Sequence, residues 1–207
     1  MLASIDTIRI DEGDPIDPLA LAALASDIDD PADSLAWSIE TGTQLNASIS
    51  EGDTLYLSVN DANWSGTETL DLIVSDPSGA TDTTLVTVVV NGVNDAPVFS
   101  GLAPVSLSED DSTTIILRDL VEDVDSAPEA LVFAATVVAA SGSIYSSDDL
   151  ALRLDDASSE LRFVPAANAF GDFRVELSVS DGDGGTAIDT IDVAVSGIND
   201  APQLGSL

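Results

Sequence analysis

Three residue types are missing from this 207-residue chain, which contains no cysteine, no histidine and no lysine. Without cysteine and histidine the chain can form neither a disulfide framework nor a thiolate or imidazole zinc site, and a Ser-His-Asp triad is excluded. Aromatic residues are also scarce, at 4%. Valine, isoleucine, leucine and alanine therefore have to fill any hydrophobic core.

Positive charge is nearly absent as well. Five basic residues stand against 38 acidic ones, giving a formal net charge of -33. A surface of this sign repels phosphate, which excludes nucleic-acid binding and a polybasic membrane anchor. Hydrophobic residues nevertheless make up 44% of the chain, so a folded core is favoured over disorder. The basic residues are Arg9, Arg118, Arg153, Arg162 and Arg174.

Long hydrophobic runs are missing too. No stretch of 18 apolar residues occurs, so the sequence predicts no direct membrane insertion. The first residues, Met-Leu-Ala-Ser-Ile-Asp, lack the basic and apolar regions of a signal peptide, and we expect none in this chain.

An internal repeat organises what is present. The sequence Asn-Asp-Ala-Pro at 94–97 returns at 199–202, and Ser-Asp at 75–76 returns at 180–181, each after 105 residues. An Asp-x-Asp motif at 27–29 returns at 123–125 after only 96. The second copy therefore carries about nine extra residues, which we assign to a polar hairpin at 139–149. The predicted domains are 1–97 and 98–202, with 203–207 starting a truncated next repeat.

Each repeat has the alternation of half-buried β-strands. Apolar and polar residues alternate over 173–179 and 191–195 in the second copy, and over 70–74 and 85–90 in the first. Short strands broken by Asp, Ser, Gly and Asn, in units of about 100 residues, indicate an all-β fold of two tandem immunoglobulin-like Greek-key β-sandwiches. An alternative for residues 19–25 is a short helix, because Pro18 suits a helix start.

Acidic residues keep their register across the two copies. Ca²⁺ takes six to eight oxygen ligands, mainly from carboxylates, carbonyls and amides, and acids from several loops at one end of a sandwich provide them. A solvated acidic surface explains any single Asp, but explains less well a set that recurs while most neighbouring residues change. The recurring pairs are Glu12 and Glu109, Asp27 and Asp123, Asp29 and Asp125, Asp76 and Asp181, and Asp95 and Asp200.

In combination, the Asp-x-Asp motif, the strand ending in Ser-Asp and the closing Asn-Asp-Ala-Pro resemble bacterial cadherin-like repeats of large surface or secreted adhesins. The resemblance covers nearly the whole chain and implies bound Ca²⁺ and an extracellular or cell-surface location. It also implies a junction site formed by Glu12, Asn94, Asp95, Asp123, Asp125 and Asp181. Asp27, Asp29 and Asp76 would face a preceding repeat, and Glu109 and Asp200 a following one.

One departure limits the number of ions. Animal cadherins carry an Asp-Arg-Glu motif low in each domain, whereas this chain has Asn-Asp-Ala-Asn at 60–63 and Pro-Ala-Ala-Asn at 165–168. The resemblance then implies one or two ions per junction rather than three.

We therefore predict a calcium-rigidified extracellular segment for cell or surface adhesion. Alternatives are a carbohydrate-binding module of a polysaccharide-degrading or surface protein, with Tyr56, Trp64 and Tyr145 as candidate exposed aromatics, and a passive spacer. Another copy of the module is a further candidate partner. We expect no enzymatic activity, because the acidic pairs at 148–149 and 155–156 have no counterpart in the first repeat.

Overall fold

A computed structural model describes residues 4–141 and 146–201, without the side chains of 139–141. The chain folds into two compact units, Met1–Val93 (unit 1) and Asn94–Leu207 (unit 2). Residues 94–97 belong to unit 2 by their contacts; the predicted boundaries 1–97 and 98–202 stay a prediction. The predicted all-β class is confirmed, since the regular elements of the described residues are strands and three short 3₁₀ turns.

The described residues of unit 1, from residue 4 onward, form seven strands in two sheets. One sheet has the order β1-β7-β6-β3, with β1 parallel to β7, and the other has the order β2-β5-β4. The strands are β1 (Ile8–Asp11), β2 (Leu19–Ala20), β3 (Ala36–Ile39), β4 (Leu45–Ser50), β5 (Thr54–Val59), β6 (Gly66–Ser75) and β7 (Thr81–Asn91).

The alternating residues of unit 1 explain its core. Along β6 and β7 every second side chain is buried, as the period of a strand requires. These side chains meet those of β4 and β5 in one cluster, so the two sheets pack face to face. The fully or nearly buried members are Leu21, Leu45, Leu55, Leu57, Leu70, Leu72, Val86, Val88 and Val90.

Unit 2 repeats this plan with nine strands in its described ranges, 94–141 and 146–201. Its larger sheet has the order β12-β15-β16-β9, its second sheet the order β10-β14-β13, and β8 pairs with β11. The strands are β8 (Val98–Phe99), β9 (Val105–Ser108), β10 (Thr113–Ile116), β11 (Val121–Glu122), β12 (Val132–Ser141), β13 (Leu150–Asp155), β14 (Glu160–Pro165), β15 (Gly171–Ser180) and β16 (Thr186–Ser196).

The core of unit 2 again lies between the sheets. Leu161 and Phe163 of β14 face Val175 and Leu177 of β15, and all four are completely buried. Aliphatic side chains fill most of this core, so that a few aromatic rings are enough to complete it.

Two local predictions have different outcomes. The alternative of a helix at 19–25 is wrong, because Leu19–Ala20 pairs with β5 and a turn follows. The predicted insertion at 139–149 falls partly outside the described residues. Its described parts are the end of β12 and a 3₁₀ turn, Ser147–Asp149. Nowhere in the described ranges is a helix long and apolar enough to cross a membrane.

Candidate metal centre

The first carboxylates of the site are held by a turn that directly follows β11. Asp123 Oδ1 accepts hydrogen bonds from the backbone N–H groups of Asp125 and Ser126, at 2.9 and 2.7 Å. An aspartate commonly closes a turn on itself in this way. Asp123 Oδ2 is buried and has no hydrogen-bond partner among the described residues. One oxygen of Asp123 is therefore structural and the other is left with free lone pairs.

Residues 94 and 95 bring the other acidic positions of unit 2 together. The Asp95 backbone N–H donates to Asp125 Oδ2 at 2.7 Å, and Asn94 Nδ2 donates to Asp181 Oδ2 at 2.8 Å. The same Asn94 amide also donates to the Asp95 carbonyl at 3.0 Å. Two adjacent residues thus contact carboxylates from two different loops of unit 2.

Asp181 ends β15 and closes the tight turn that leads into β16. Its Oδ1 accepts from the N–H groups of Asp183, Gly184 and Gly185 at 2.7–3.0 Å. The side-chain hydrogen bond from Asn94, together with these backbone bonds, lowers the pKa of Asp181 although burial acts in the opposite direction. Only 4% of the residue is exposed, so an anionic carboxylate is maintained inside the fold.

Gly185 is a contributor that the sequence analysis missed. A Cβ atom placed on it would lie 2.8 Å from Ala96 Cα and 3.1 Å from Asn94 Nδ2, besides overlapping the Asp181 carboxylate. The absence of a side chain therefore lets the 94–97 segment lie against the Asp181 turn. The repeat comparison carried a signal for this, because unit 1 has Ala80 at the corresponding position.

These contacts leave an excess of negative charge. Asp95, Asp123, Asp125 and Asp181 carry four carboxylates around one short segment, and the sole ion pair of the described residues, Arg174 with Asp192, involves none of them. A buried unpartnered oxygen and several partly satisfied carboxylates fit a hard cation that takes oxygen ligands. The donor set contains no sulfur or imidazole, which disfavours zinc.

Unit 1 builds the same turns from its own residues. Asp27 Oδ1 accepts from the N–H groups of Asp29 and Asp30 at 2.8 and 3.0 Å, matching the Asp123 turn. Asp76 Oδ1 accepts from Ser78 and Ala80 at 2.8 and 2.9 Å, matching the Asp181 turn. A depression of about 130 Å³ between them is lined by both acids.

The electrostatics of unit 1 show that its acids crowd one another. Burial and the negative charges of Asp27, Asp76 and Asp29 raise the pKa of Asp30. Backbone hydrogen bonds from Asp29 and Asp30 lower the pKa of Asp27. The three predicted ligands of unit 1 therefore lie near one another.

Glu12 directly follows β1 in unit 1, and Glu109 directly follows β9 in unit 2. Glu109 is 2% exposed, its Oε1 accepts from the Ile198 N–H, and its Oε2 is buried without a hydrogen-bond partner among the described residues. Glu12 is anchored like Glu109, since its N–H donates to the Asn91 carbonyl at 2.9 Å as that of Glu109 does to Ser196. Glu12 belongs to unit 1, and its membership of a shared site stays a prediction.

Asp200 is exposed and follows an asparagine that folds as Asn94 does, since Asn199 Nδ2 donates to the Asp200 carbonyl at 3.3 Å. The assignment of Glu109 and Asp200 as ligands facing a following repeat stays a prediction. Within unit 2 the structure thus brings together Asn94, Asp95, Asp123, Asp125 and Asp181, and within unit 1 it brings together Asp27, Asp29 and Asp76.

The structure describes two of the three aromatic residues considered for stacking on sugars, Tyr56 and Trp64. Trp37 and Trp64 pack against the core of unit 1, Tyr56 is 48% exposed, and Tyr145 lies outside the described residues. The acidic pairs considered for catalysis have structural contacts: Asp149 caps the turn at Ser146, and Asp155 accepts from the Ala157 N–H.

Comparisons with known proteins agree with this architecture. Residues 2–89 and 94–194 each match a family model described as a bacterial Ig domain. No curated protein matches the chain in sequence. The predicted resemblance to bacterial cadherin-like immunoglobulin repeats is confirmed.

Solved structures show the same fold. Human protocadherin-24 EC1-2 is similar with a TM-score of 0.55 and 19% identity, over 93% of this chain and 95% of that one. Protocadherin gamma C5 EC1-3 gives a TM-score of 0.50 and 20% identity, over 91% of this chain and 65% of that one. Protocadherin gamma B7 extracellular cadherin domains 1-4 give 0.50 and 18%, over 94% and 49%. At these identities the likeness extends to the fold alone.

Proposed function

The chain belongs to the bacterial Ig domain family, and on that premise we propose that it is a Ca²⁺-binding segment of an extracellular or cell-surface protein, used for adhesion or spacing. The ion is bound by the acidic set of unit 2, namely Asp95, Asp123, Asp125 and Asp181 with a carbonyl of Asn94. Bound Ca²⁺ supplies a divalent positive charge that these oxygens share.

One observation carries the proposal. Asp123 Oδ2 is buried without a hydrogen-bond partner among the described residues. Asp123 lies beside Asp125, whose N–H donates to the other oxygen of Asp123. The Asp125 carboxylate in turn accepts from the Asp95 N–H. An unpartnered buried carboxylate oxygen costs free energy, because it loses water without gaining a compensating contact. A cation at this place removes that cost and offsets part of the local charge of four carboxylates.

The charge of the whole chain favours the binding of cations. A net charge of -33 opposes compaction by self-repulsion, which cations relieve. Extracellular calcium modules typically bind with dissociation constants of about 10⁻⁴ to 10⁻³ M.

We further propose that the ion stiffens the connection that follows unit 1. The ligands Asn94 and Asp95 are the first residues after Val93, so an ion bound by them restrains the segment at which the chain passes from one unit to the next. Adhesion and spacing would both use the same restrained segment, and both are compatible with the sequence and the fold.

The test is a calcium titration of the full chain by isothermal calorimetry and thermal unfolding, with Mg²⁺ and chelator as references. We expect saturable binding and a higher Tm with Ca²⁺, because a ligand that binds the folded state at 100 times its Kd stabilises it by about 2.7 kcal/mol. Absence of saturable heat up to 10 mM Ca²⁺ would reject the proposal.

Matched variants assign the site. Asp123→Asn keeps the Oδ1 atom that closes the turn and removes the charge at Oδ2, so we expect the fold to persist while calcium affinity falls by at least tenfold. Asp148→Asn changes an exposed acid of unit 2 on a different loop and is expected to bind as the parent does. Equal losses in both variants would mean that net charge, rather than this site, determines binding.

A further inference from the structure

The outer face of the sheet β10-β14-β13 carries two of the five basic residues of the chain side by side. Arg153 of β13 lies directly opposite Arg162 of β14 in the antiparallel register, and Thr114 of β10 lies opposite Arg162 on the other side. Side chains at opposite positions of an antiparallel pair have Cβ atoms about 4.5–5.5 Å apart. Both guanidinium groups therefore reach the same small area of surface.

Neither arginine takes part in an ion pair in the described structure. The one ion pair that it contains joins Arg174 and Asp192, at 2.9 Å. Arg162 instead donates from Nε and Nη2 to the neutral Ser112 hydroxyl, at 3.0 and 2.6 Å. Like charges directly opposite each other destabilise a sheet, so an anion held between the two guanidinium groups would relieve their mutual repulsion.

The surroundings of the pair narrow the chemistry of such an anion. A depression of about 440 Å³ is lined by the two arginines, the hydroxyls of Ser112 and Thr114 and the carboxylates of Asp155 and Glu160. The acids form the neighbouring cross-strand pair. This face thus presents two guanidinium groups beside two hydroxyl groups and two carboxylates.

A sugar acid matches that mixture better than an inorganic anion. Its single carboxylate can take bidentate hydrogen bonds from guanidinium groups, and its hydroxyls can donate to Asp155 and Glu160. Sulfate carries two negative charges and no hydrogen-bond donors, so the two acids repel it more strongly than they repel one sugar carboxylate.

Unit 1 lacks this arrangement. At the corresponding cross-strand position it has Ser48 opposite Tyr56, and the next pair is Ser50 opposite Thr54. None of these side chains carries charge, so the feature belongs to unit 2 and is not a general property of the repeat.

We propose that the face formed by Arg153, Arg162, Ser112 and Thr114 binds a uronate unit of an acidic polysaccharide. The two guanidinium groups hold the sugar carboxylate, and Asp155 and Glu160 accept hydrogen bonds from the sugar hydroxyls. The site uses none of the residues of the candidate metal centre, so it operates without Ca²⁺.

The experiment titrates the full chain with a trimer of galacturonic acid in the presence of chelator, which separates this face from calcium-mediated binding. The arginine Nε–H resonances are followed by NMR. We expect saturable shifts at Arg153 and Arg162 and none at Arg174. The double variant Arg153→Gln, Arg162→Gln is expected to raise Kd at least tenfold, whereas Arg174→Gln, an exposed arginine of the other sheet, leaves it unchanged.

Two comparison ligands decide the class. The fully methyl-esterified trimer lacks the carboxylates and is expected to give no shift at equal concentration. Sodium sulfate at matched ionic strength is expected to shift the two arginines at least tenfold less effectively. Equal response to sulfate, uniform shifts at all five arginines, or no saturable shift would each overturn the proposal. Unchanged unfolding of the double variant ensures that lost binding reports on the face.

Discussion

Unit 1 and unit 2 form their acidic turns by the same hydrogen bonds, yet they differ in what contacts those turns. In unit 2 Asn94 and Asp95 donate to Asp181 and Asp125. In the described part of unit 1, Asp76 has no such side-chain donor, and burial and neighbouring acids raise the pKa of Asp30. The turns alone gather negative charge, and in unit 2 the segment 94–95 donates hydrogen bonds that offset part of it.

A second difference lies in the sheets. Position 68 in unit 1 corresponds to position 173 in unit 2 by the 105-residue offset. Glu68 accepts four backbone or hydroxyl contacts from Thr43 and Gln44 and one from Leu45, at 2.7–3.3 Å. Phe173 is 2% exposed and belongs to the core. The same strand position thus accepts hydrogen bonds from a loop in unit 1 and lies in the apolar core in unit 2.

The largest expected losses of folding stability come from truncating Phe173 or Glu68. Phe173→Ala removes a buried ring and should destabilise unit 2 by about 3–5 kcal/mol. Glu68→Ala leaves the N–H groups of 43–45 without their acceptor, which costs about 1.5–3 kcal/mol, with the lower end expected because solvent reaches part of the site. Both tryptophans lie in unit 1, so fluorescence follows unit 1 while circular dichroism follows both units.

The pH dependence distinguishes the two mechanisms. Burial acts to raise the pKa of Glu68, but hydrogen bonds from Thr43, Gln44 and Leu45 outweigh it and lower the pKa. A lowered carboxyl pKa gives stability that is present above the unfolded pKa and is lost as pH falls through the folded pKa. The cost of Glu68→Ala should therefore shrink in acid while that of Phe173→Ala stays constant. A constant cost for both would contradict the assignment.

The sequence predicted the sheets because their determinants are local. Alternation over 70–74, 85–90, 173–179 and 191–195 is enough to locate β6, β7, β15 and β16, since a strand buries every second side chain. The Asp turns were predictable in outline for the same reason, as their donors lie within four residues of the acid.

Contacts between distant residues were not predictable in this way. Glu68 contacts Thr43 from 25 residues away, and the proximity of Asn94 and Asp181, 87 residues apart, was expected from the family resemblance and not from the alternation of residues. Arg153 and Arg162 become a pair only through the strand register. A charged residue within an alternating strand looks like an ordinary solvent-facing position, so these roles depend on tertiary structure that the one-dimensional pattern does not contain.

A smaller effect on stability is expected from substituting Gly185, which directly precedes β16, or Ala80, which directly precedes β7. Gly185→Ala forces Ala96 or the Asp181 carboxylate to move, and such overpacking costs about 1–3 kcal/mol. Ala80→Gly in unit 1 is the matched control and removes only a methyl group from an exposed position. Hydrogen exchange at Asp95, whose N–H bonds Asp125, should accelerate in Gly185→Ala alone. Unchanged exchange would show that the segment does not depend on Gly185.

The smallest expected effect concerns the crowded acids of unit 1. Burial comes first among the causes that raise the pKa of Asp30, followed by the charges of Asp27, Asp76 and Asp29. Asp76→Asn keeps an oxygen for the turn and removes one charge, so the pKa of Asp30 should fall, as measured by carboxyl ¹³C NMR. Because the raised pKa means that the folded state binds this proton more tightly, protonation of Asp30 favours folding and stability decreases as pH rises through its titration.

Unit 2 provides the control for that titration, because Ser126 occupies the position that corresponds to Asp30. Asp30→Ser in unit 1 should therefore remove this pH-dependent contribution and leave the Asp27 turn with the same neutral neighbour as the Asp123 turn, whose N–H still donates. If the folding stability of Asp30→Ser depends on pH in acid as that of the parent does, the charges of Asp27, Asp29 and Asp76 act on a group other than Asp30. Loss of the slope would place the electrostatic difference between the two units at this single side chain.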